Sequence, residues 1–164
     1  MILIKRITIT AIVIFLFSYV SHWILIPTEI IATHPHGTSR IILVKNFPLT
    51  VSGKMKWWKE NKKLLKDKYD TPFIRDDGSY SVTIWDIGKG YQIKKPRDDT
   101  FFPDHDTEYL LCFEEMTVEA NCVDKANQIM YIAKTRKGVL MVTANNEMYQ
   151  ETNGRLIKSS ITLE

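Results

Sequence analysis

Two cysteines, seven glycines and six prolines in 164 residues leave no room for several architectures. A disulfide-rich scaffold needs far more cysteine, and a collagen-like or low-complexity chain needs far more glycine and proline. Structural zinc asks for four ligands at short paired spacings, which Cys112 and Cys122 alone do not supply. No glycine-rich phosphate loop is present, and Ser52-Gly53 lacks the flanking glycines of a nucleophile elbow. A strong field of one sign is also missing. Beyond residue 26, 20 Lys+Arg (22 less Lys5 and Arg6) face 19 Asp+Glu, a net of +1, so nothing here drives phosphate binding and no nucleic-acid partner is expected.

Charge is wholly absent from residues 7–26. Such a run, at about 1.5 Å per helical residue, reaches the roughly 30 Å of a bilayer core, and it is too long for the apolar part of a cleaved signal peptide. Tyr19, His22 and Trp23 gather near its end, where amphipathic rings favour an interface. Lys5 and Arg6 precede the run, and the positive-inside rule then keeps the N-terminus cytoplasmic. The expected organisation is a cytoplasmic N-terminus at 1–6, a transmembrane signal-anchor at 7–26 and an exported, periplasmic domain at 27–164. The expected location is the inner membrane, spanned once.

Within the exported part, β-branched runs at 29–32 and 41–44 flank His34-Pro35-His36-Gly37, which reads as the turn between two antiparallel strands. Thr50 and Ser52 offer N-caps to a helix over 54–69. Its stripe of Trp57, Trp58, Leu64 and Leu65 predicts one buried face, with either Leu64 or Leu65 in the core. Neighbouring helical side chains diverge by about 100°, so one of Trp57 and Trp58 is expected inside and the other partly exposed. Period-two alternation predicts a strand over 80–85, returning through the Gly88 and Gly90 turn into 91–93. Residues 94–107 read as a long charged loop. Strands are expected at 109–113, 128–134 and 139–143, and Asn153-Gly154 is the strongest hairpin signal in the chain. The fold class expected is α+β, a transmembrane helix followed by a mainly antiparallel β-meander packed with one amphipathic helix.

Cys112 and Cys122 close a short loop, and an even pair in an oxidising compartment favours a bridge; two buried thiols are the alternative. His34 and His36 would project from one strand face as metal ligands, with Asp104-His105-Asp106 as a second group, but no four-ligand spacing completes either. Glu114-Glu115 and Asp98-Asp99 are carboxylate pairs that could serve acid/base chemistry only if buried. No enzyme activity and no cofactor is expected. The lysine-rich helix face, with Trp57, Lys59 and Lys63 as its contact residues, is the candidate binding surface.

Several strings together resemble one family. They are Leu43-Val44-Lys45-Asn46-Phe47-Pro48, Gly53-Lys54, Trp57-Trp58, Asn61-Lys62, Leu65-Lys66-Asp67-Lys68-Tyr69, Thr83-Ile84-Trp85-Asp86, Gly88-Lys89-Gly90-Tyr91 and Leu111-Cys112-Phe113, with Met116 and Cys122. The chain, over about 28–143, is similar to the enterobacterial DUF943 family, a group named for an unknown function. The resemblance implies an N-terminal membrane segment and a short exported domain, and little chemistry. The loop at 96–105 is longer than the family pattern. Location and the lack of catalytic groups lead to the expected function, a bitopic protein whose periplasmic domain binds another protein, an immunity protein against an interbacterial toxin being one form of it. An accessory subunit of an envelope complex is the alternative, and a periplasmic metal-binding domain ranks last.

Overall fold

The structure, a computed structural model, describes residues 12–15, 26–95 and 107–159. Among the described residues ten strands form two sheets. The larger contains β1 (Glu29–His36), β2 (Ser39–Lys45), β3 (Tyr80–Asp86), β7 (Gln128–Lys134), β8 (Leu140–Ala144), β9 (Glu147–Thr152) and β10 (Arg155–Lys158), in that spatial order. The smaller contains β4 (Gln92–Ile93), β6 (Ala120–Asp124) and β5 (Leu110–Cys112), with β6 in the middle. One long helix, α1 (Val51–Tyr69), joins β2 to β3.

Helix α1 begins where the sequence provides a cap. The Thr50 hydroxyl accepts a hydrogen bond from the Gly53 backbone N–H at 3.1 Å, satisfying one of the first-turn donors. A β-carbon at Gly53 would lie 3.0 Å from Pro48 Cβ and 3.0 Å from that hydroxyl, so a larger residue there would crowd the cap. At the far end Asp70 turns left-handed and its N–H closes on the Leu65 and Lys66 carbonyls. The inner face of the helix packs Met55, Trp57, Trp58 and Leu65 onto Ile42, Val44, Val82, Ile84, Met130, Ile132 and Val142 of the large sheet. Apolar burial of this kind, about 25 cal/mol per Å², is the main force holding the helix on the sheet.

Because α1 carries the chain across the sheet, β2 and β3 pair in parallel, Arg40 opposite Val82 and Val44 opposite Asp86. The sheet is mainly antiparallel, in β1-β2 and in β3-β7-β8-β9-β10, but the expected meander is corrected by a β-α-β crossover that makes β2-β3 a parallel pair. The expected hairpin between β3 and the 91–93 strand does not form either. Gly88 and Gly90 turn the chain out of the large sheet, and β4 pairs with β6, a strand the sequence pattern did not announce. Asn153-Gly154 makes its two-residue hairpin with both residues at positive φ, and Asn145-Asn146 makes a second one between β8 and β9.

Trp57 is 8% exposed and Trp58 2%, which corrects the expectation that one of them reaches solvent. The 100° between them still leaves both rings inside, since Trp57 turns toward the β2–α1 connection, edge-on to Phe47 at 5.0 Å. Pro35 does not end β1, because β1 is an edge strand and a missing N–H there breaks no ladder. The turn instead falls at Gly37, at φ +55°.

The N-terminal anchor requires the largest correction. Most of residues 7–26 lies outside the described residues. Residues 12–15 are helical, with Phe15 71% exposed, and among the described residues no helix is long and apolar enough to cross a membrane. The transmembrane helix of the expected fold class, the signal-anchor, the single-pass inner-membrane location, the membrane as partner and the bitopic protein with a periplasmic binding domain fall together. So do the immunity and envelope-subunit roles argued from that placement. The loop read at 94–107 lies outside the described residues at 96–106.

Candidate functional site

The small sheet lies against the side of the large sheet opposite α1, and it covers only part of that side. Ile41 and Leu43 of β2 and Trp85 of β3 pack there against Phe113 and Val123, with Ile87 completing the cluster. Two features deserve chemical scrutiny: a polar chain within this inter-sheet region, and the uncovered remainder of the sheet face.

The polar chain centres on His34, buried on β1. Its Nδ1 lies 2.7 Å from Glu115 Oε1, and its Nε2 lies 2.7 Å from the Tyr91 hydroxyl. A carboxylate only accepts, so Nδ1 carries the hydrogen and donates to Glu115, while Nε2 and the Tyr91 hydroxyl share the second hydrogen bond. The imidazole stacks on Phe113 at 3.8 Å between centroids. Tyr91 precedes β4 and Phe113 follows β5, so this chain fastens the edge of the large sheet to both outer strands of the small one.

Hydroxyl, imidazole and carboxylate stand in the order that could draw a proton from the hydroxyl. The phenol resists this. Burial, and next the Glu115 charge, push the Tyr91 hydroxyl above its ordinary value, so it stays protonated and donates. Neighbouring Cys112 and Cys122, directly opposite each other on β5 and β6, are joined in a disulfide. His36 is exposed and makes no set with His34, and His105 lies outside the described residues. Among the described residues no group of three or more His, Cys, Asp and Glu could hold a metal ion.

A second buried polar group was not anticipated. Lys54, in the first turns of α1, donates from Nζ to the Ile129 carbonyl at 3.1 Å and to Asn145 Oδ1 at 2.7 Å. Asn145 in turn donates to the Leu49 carbonyl. Both lysine partners are neutral, and desolvation lowers the Lys54 pKa from its ordinary value.

The expected binding residues are dispersed. Trp57 is in the core. Lys59 lies 3.6 Å from Glu151, and Lys63 pairs with Asp67 at 2.5 Å. Lys56 faces Glu60, and Lys66 pairs with Asp70, so the lysine face carries much of its own compensation.

The uncovered sheet face behaves differently. Strand register sets Thr83, Tyr131, Thr143 and Met148 in one row across β3, β7, β8 and β9. Ser81, Ala133, Met141, Gln150 and Ile157 form the next row, ending on β10. Alternation places all of these away from α1, since their neighbours Val82, Ile132, Val142 and Tyr149 pack under the helix. Tyr131 is 36% exposed and Ile157 54%, and Met141 and Met148 are half-buried. Neither row holds a charged residue, but the Arg75 guanidinium lies 3.5 Å from the buried Ser81 hydroxyl at one end of the second row, and Arg155 stands in the row beyond at the other. In a chain that is 25% charged, the stretch of β7–β9 through Tyr131, Met141, Thr143 and Met148 carries no charge and is partly exposed. Nothing in the linear sequence groups these residues, because only the register of β3 and β7–β10 aligns them.

A sequence model described as "Enterobacterial putative membrane protein (DUF943)" matches residues 3–160, further toward both ends than the strings suggest. No curated protein and no solved structure matches the chain. The chain belongs to the DUF943 family.

Proposed function

We propose that this DUF943 protein is a non-enzymatic binding domain whose contact surface is the outer face of β3 and β7–β10, centred on Tyr131, Met141 and Met148. The observation that carries this reading is the uncharged, partly exposed stretch of β7–β9 on a sheet whose opposite side packs against α1. Large apolar surface left in water is unfavourable at about 25 cal/mol per Å², and contact surfaces are where chains retain it. Tyrosine supplies a stiff amphipathic anchor, and methionine adapts to the surface opposite.

The non-enzymatic part rests on the state of the Glu115–His34–Tyr91 chain. A raised phenol pKa suits a donor in a fixed hydrogen bond, and the Phe113 ring lies over the imidazole. These residues tie the two sheets and leave the neighbouring face open.

Photo-crosslinking residues at Tyr131 and Met148 test the reading, with one at Lys62 on the exposed side of α1 as the reference. Discrete adducts from the two sheet positions and none from Lys62 are expected in cells. Adducts from Lys62 alone, or none from any position in folded protein, would overturn it.

A further inference from the structure

We infer that the partner held on this outer face presents a carboxylate, from an acidic side chain or a chain end, and that the Arg75 guanidinium beside Ser81 receives it. The inference rests on the reading that the face is a contact surface, and it adds the chemistry of what is bound there.

Hydroxyls alone place the guanidinium. Its Nη1 donates to Ser79 Oγ at 3.0 Å, and its Nη2 donates to Thr38 Oγ1 at 2.9 Å and to Ser81 Oγ at 3.5 Å. An arginine carries five N–H donors, and these three bonds leave two for other acceptors. Among the described residues no carboxylate pairs with it, although a guanidinium bonds most strongly to one. The hydroxyl hydrogens divide in the same way. Ser79 donates to Asp77 and Ser39 donates to the Ser81 carbonyl, whereas among the described residues Thr38 and Ser81 only accept. Donors therefore gather around Arg75 with no anion to receive them. Ser79 and Ser81 are buried, so two of the three supports hold the cation in a fixed place.

Strand register puts this cation at the edge of the contact face. Ser81 points away from α1 and starts the row that continues through Ala133 and Met141. A group whose carboxylate meets Arg75 can lay its carbon side over those two residues. The other cations at this end stand elsewhere. Arg40, opposite Val82, and Lys134, opposite Tyr80, share the α1 side, and Arg136 pairs with Asp77 at 2.7 Å.

Charge counting favours a carboxylate over a phosphate. One uncommitted guanidinium matches one negative charge, and a dianion would meet Asp76 and Asp77 close by without a second free cation. The uncharged patch is small, which suits a short segment anchored by one ionic contact rather than a broad interface.

Sodium octanoate, a carboxylate with an apolar tail, is the probe, added to the full chain and followed by NMR, with octanamide as its uncharged counterpart. Saturable shifts at Arg75, Ser81 and Met141 are expected with octanoate and not with octanamide. Arg75→Gln should weaken octanoate binding about tenfold or more, and Arg75→Lys by less. Should Arg75→Gln fail to fold, Thr38→Val removes one supporting hydroxyl at an exposed turn and should weaken binding several-fold. Lys62→Glu should change nothing. Octanoate shifts that survive Arg75→Gln or Thr38→Val unaltered, or tighter binding of inorganic phosphate than of octanoate, would overturn the inference. In cells Arg75→Gln should also reduce the Tyr131 crosslinks, which separates a protein partner from a free acid. Crosslinks undiminished in folded Arg75→Gln sink the carboxylate and leave the contact face standing, and no crosslinks in the parent sink both.

Discussion

His34 and Glu115, 81 residues apart in the chain, meet at 2.7 Å between the large sheet and the small one. The imidazole loses two hydrogen bonds and its stacking on Phe113 if it is removed. His34→Ala should cost about 2–4 kcal/mol, combining lost packing with an orphaned hydroxyl and carboxylate. Glu115→Gln and Tyr91→Phe should each cost about 0.5–1.5 kcal/mol and couple to His34 in a double-mutant cycle. Denaturant midpoints measure the three variants and the doubles with His34→Ala, and additive losses would show that the three side chains do not act together.

Leu65 and Leu64 are adjacent, yet the first is 0% exposed and the second 50%. Leu65→Ala should cost about 2–5 kcal/mol and Leu64→Ala no more than about 0.5. Equal losses in thermal melts would mean that α1 sits on the sheet in a different rotation.

Reducing the Cys112–Cys122 bridge frees a loop whose ends are 10 residues apart. Loop-closure entropy puts the loss at roughly 2–3 kcal/mol. The effect should fall on the small sheet, because Phe113 and Glu115 follow Cys112 directly, and amide exchange should quicken in β5 and β6 before β7 and β8. Alkylation of both thiols in denatured, unreduced protein would show that the bridge is absent.

Lys54 gives a pH prediction with a definite sign. Burial favours its neutral form, so in the interval below the ordinary lysine value of 10.5 the unfolded chain binds more protons than the folded one. Its contribution to stability is therefore complete above that value and declines as pH falls through the interval. Lys54→Met should flatten the rise in stability on going alkaline, and the difference between variant and parent isolates this one group from the tyrosines. An identical pH slope in both proteins would show that the amine is solvated.

Much of the secondary structure was legible because local rules govern it. Thr50 and the apolar stripe locate α1, alternation locates β3, and Asn153-Gly154 locates the last hairpin. What strands pair with was not legible: β2 and β3 run parallel because α1 lies between them, and Gly88 sends β4 to β6. The same limit hid the polar chain, whose members are 57 and 81 residues apart, and the outer face, which exists only once four registers are set. Trp57 misled for a related reason, since its partner Phe47 precedes the helix and no helical wheel contains it. The uncharged run at 7–26 lies mostly outside the described residues, among which no helix is long and apolar enough to cross a membrane.

The account depends most on the outer face being occupied, and the chain carries its own reporters there. Met141 and Met148 lie on that face, while Met55 and Met130 are buried under α1. Peroxide converts accessible methionine to its sulfoxide, which mass spectrometry reads residue by residue. In purified protein Met141 and Met148 should oxidise well ahead of Met55 and Met130, and in cells those two should slow while the buried pair stays as it was. Oxidation of Met141 and Met148 at one unchanging rate in purified and cellular protein would contradict the claim that this face makes the contact.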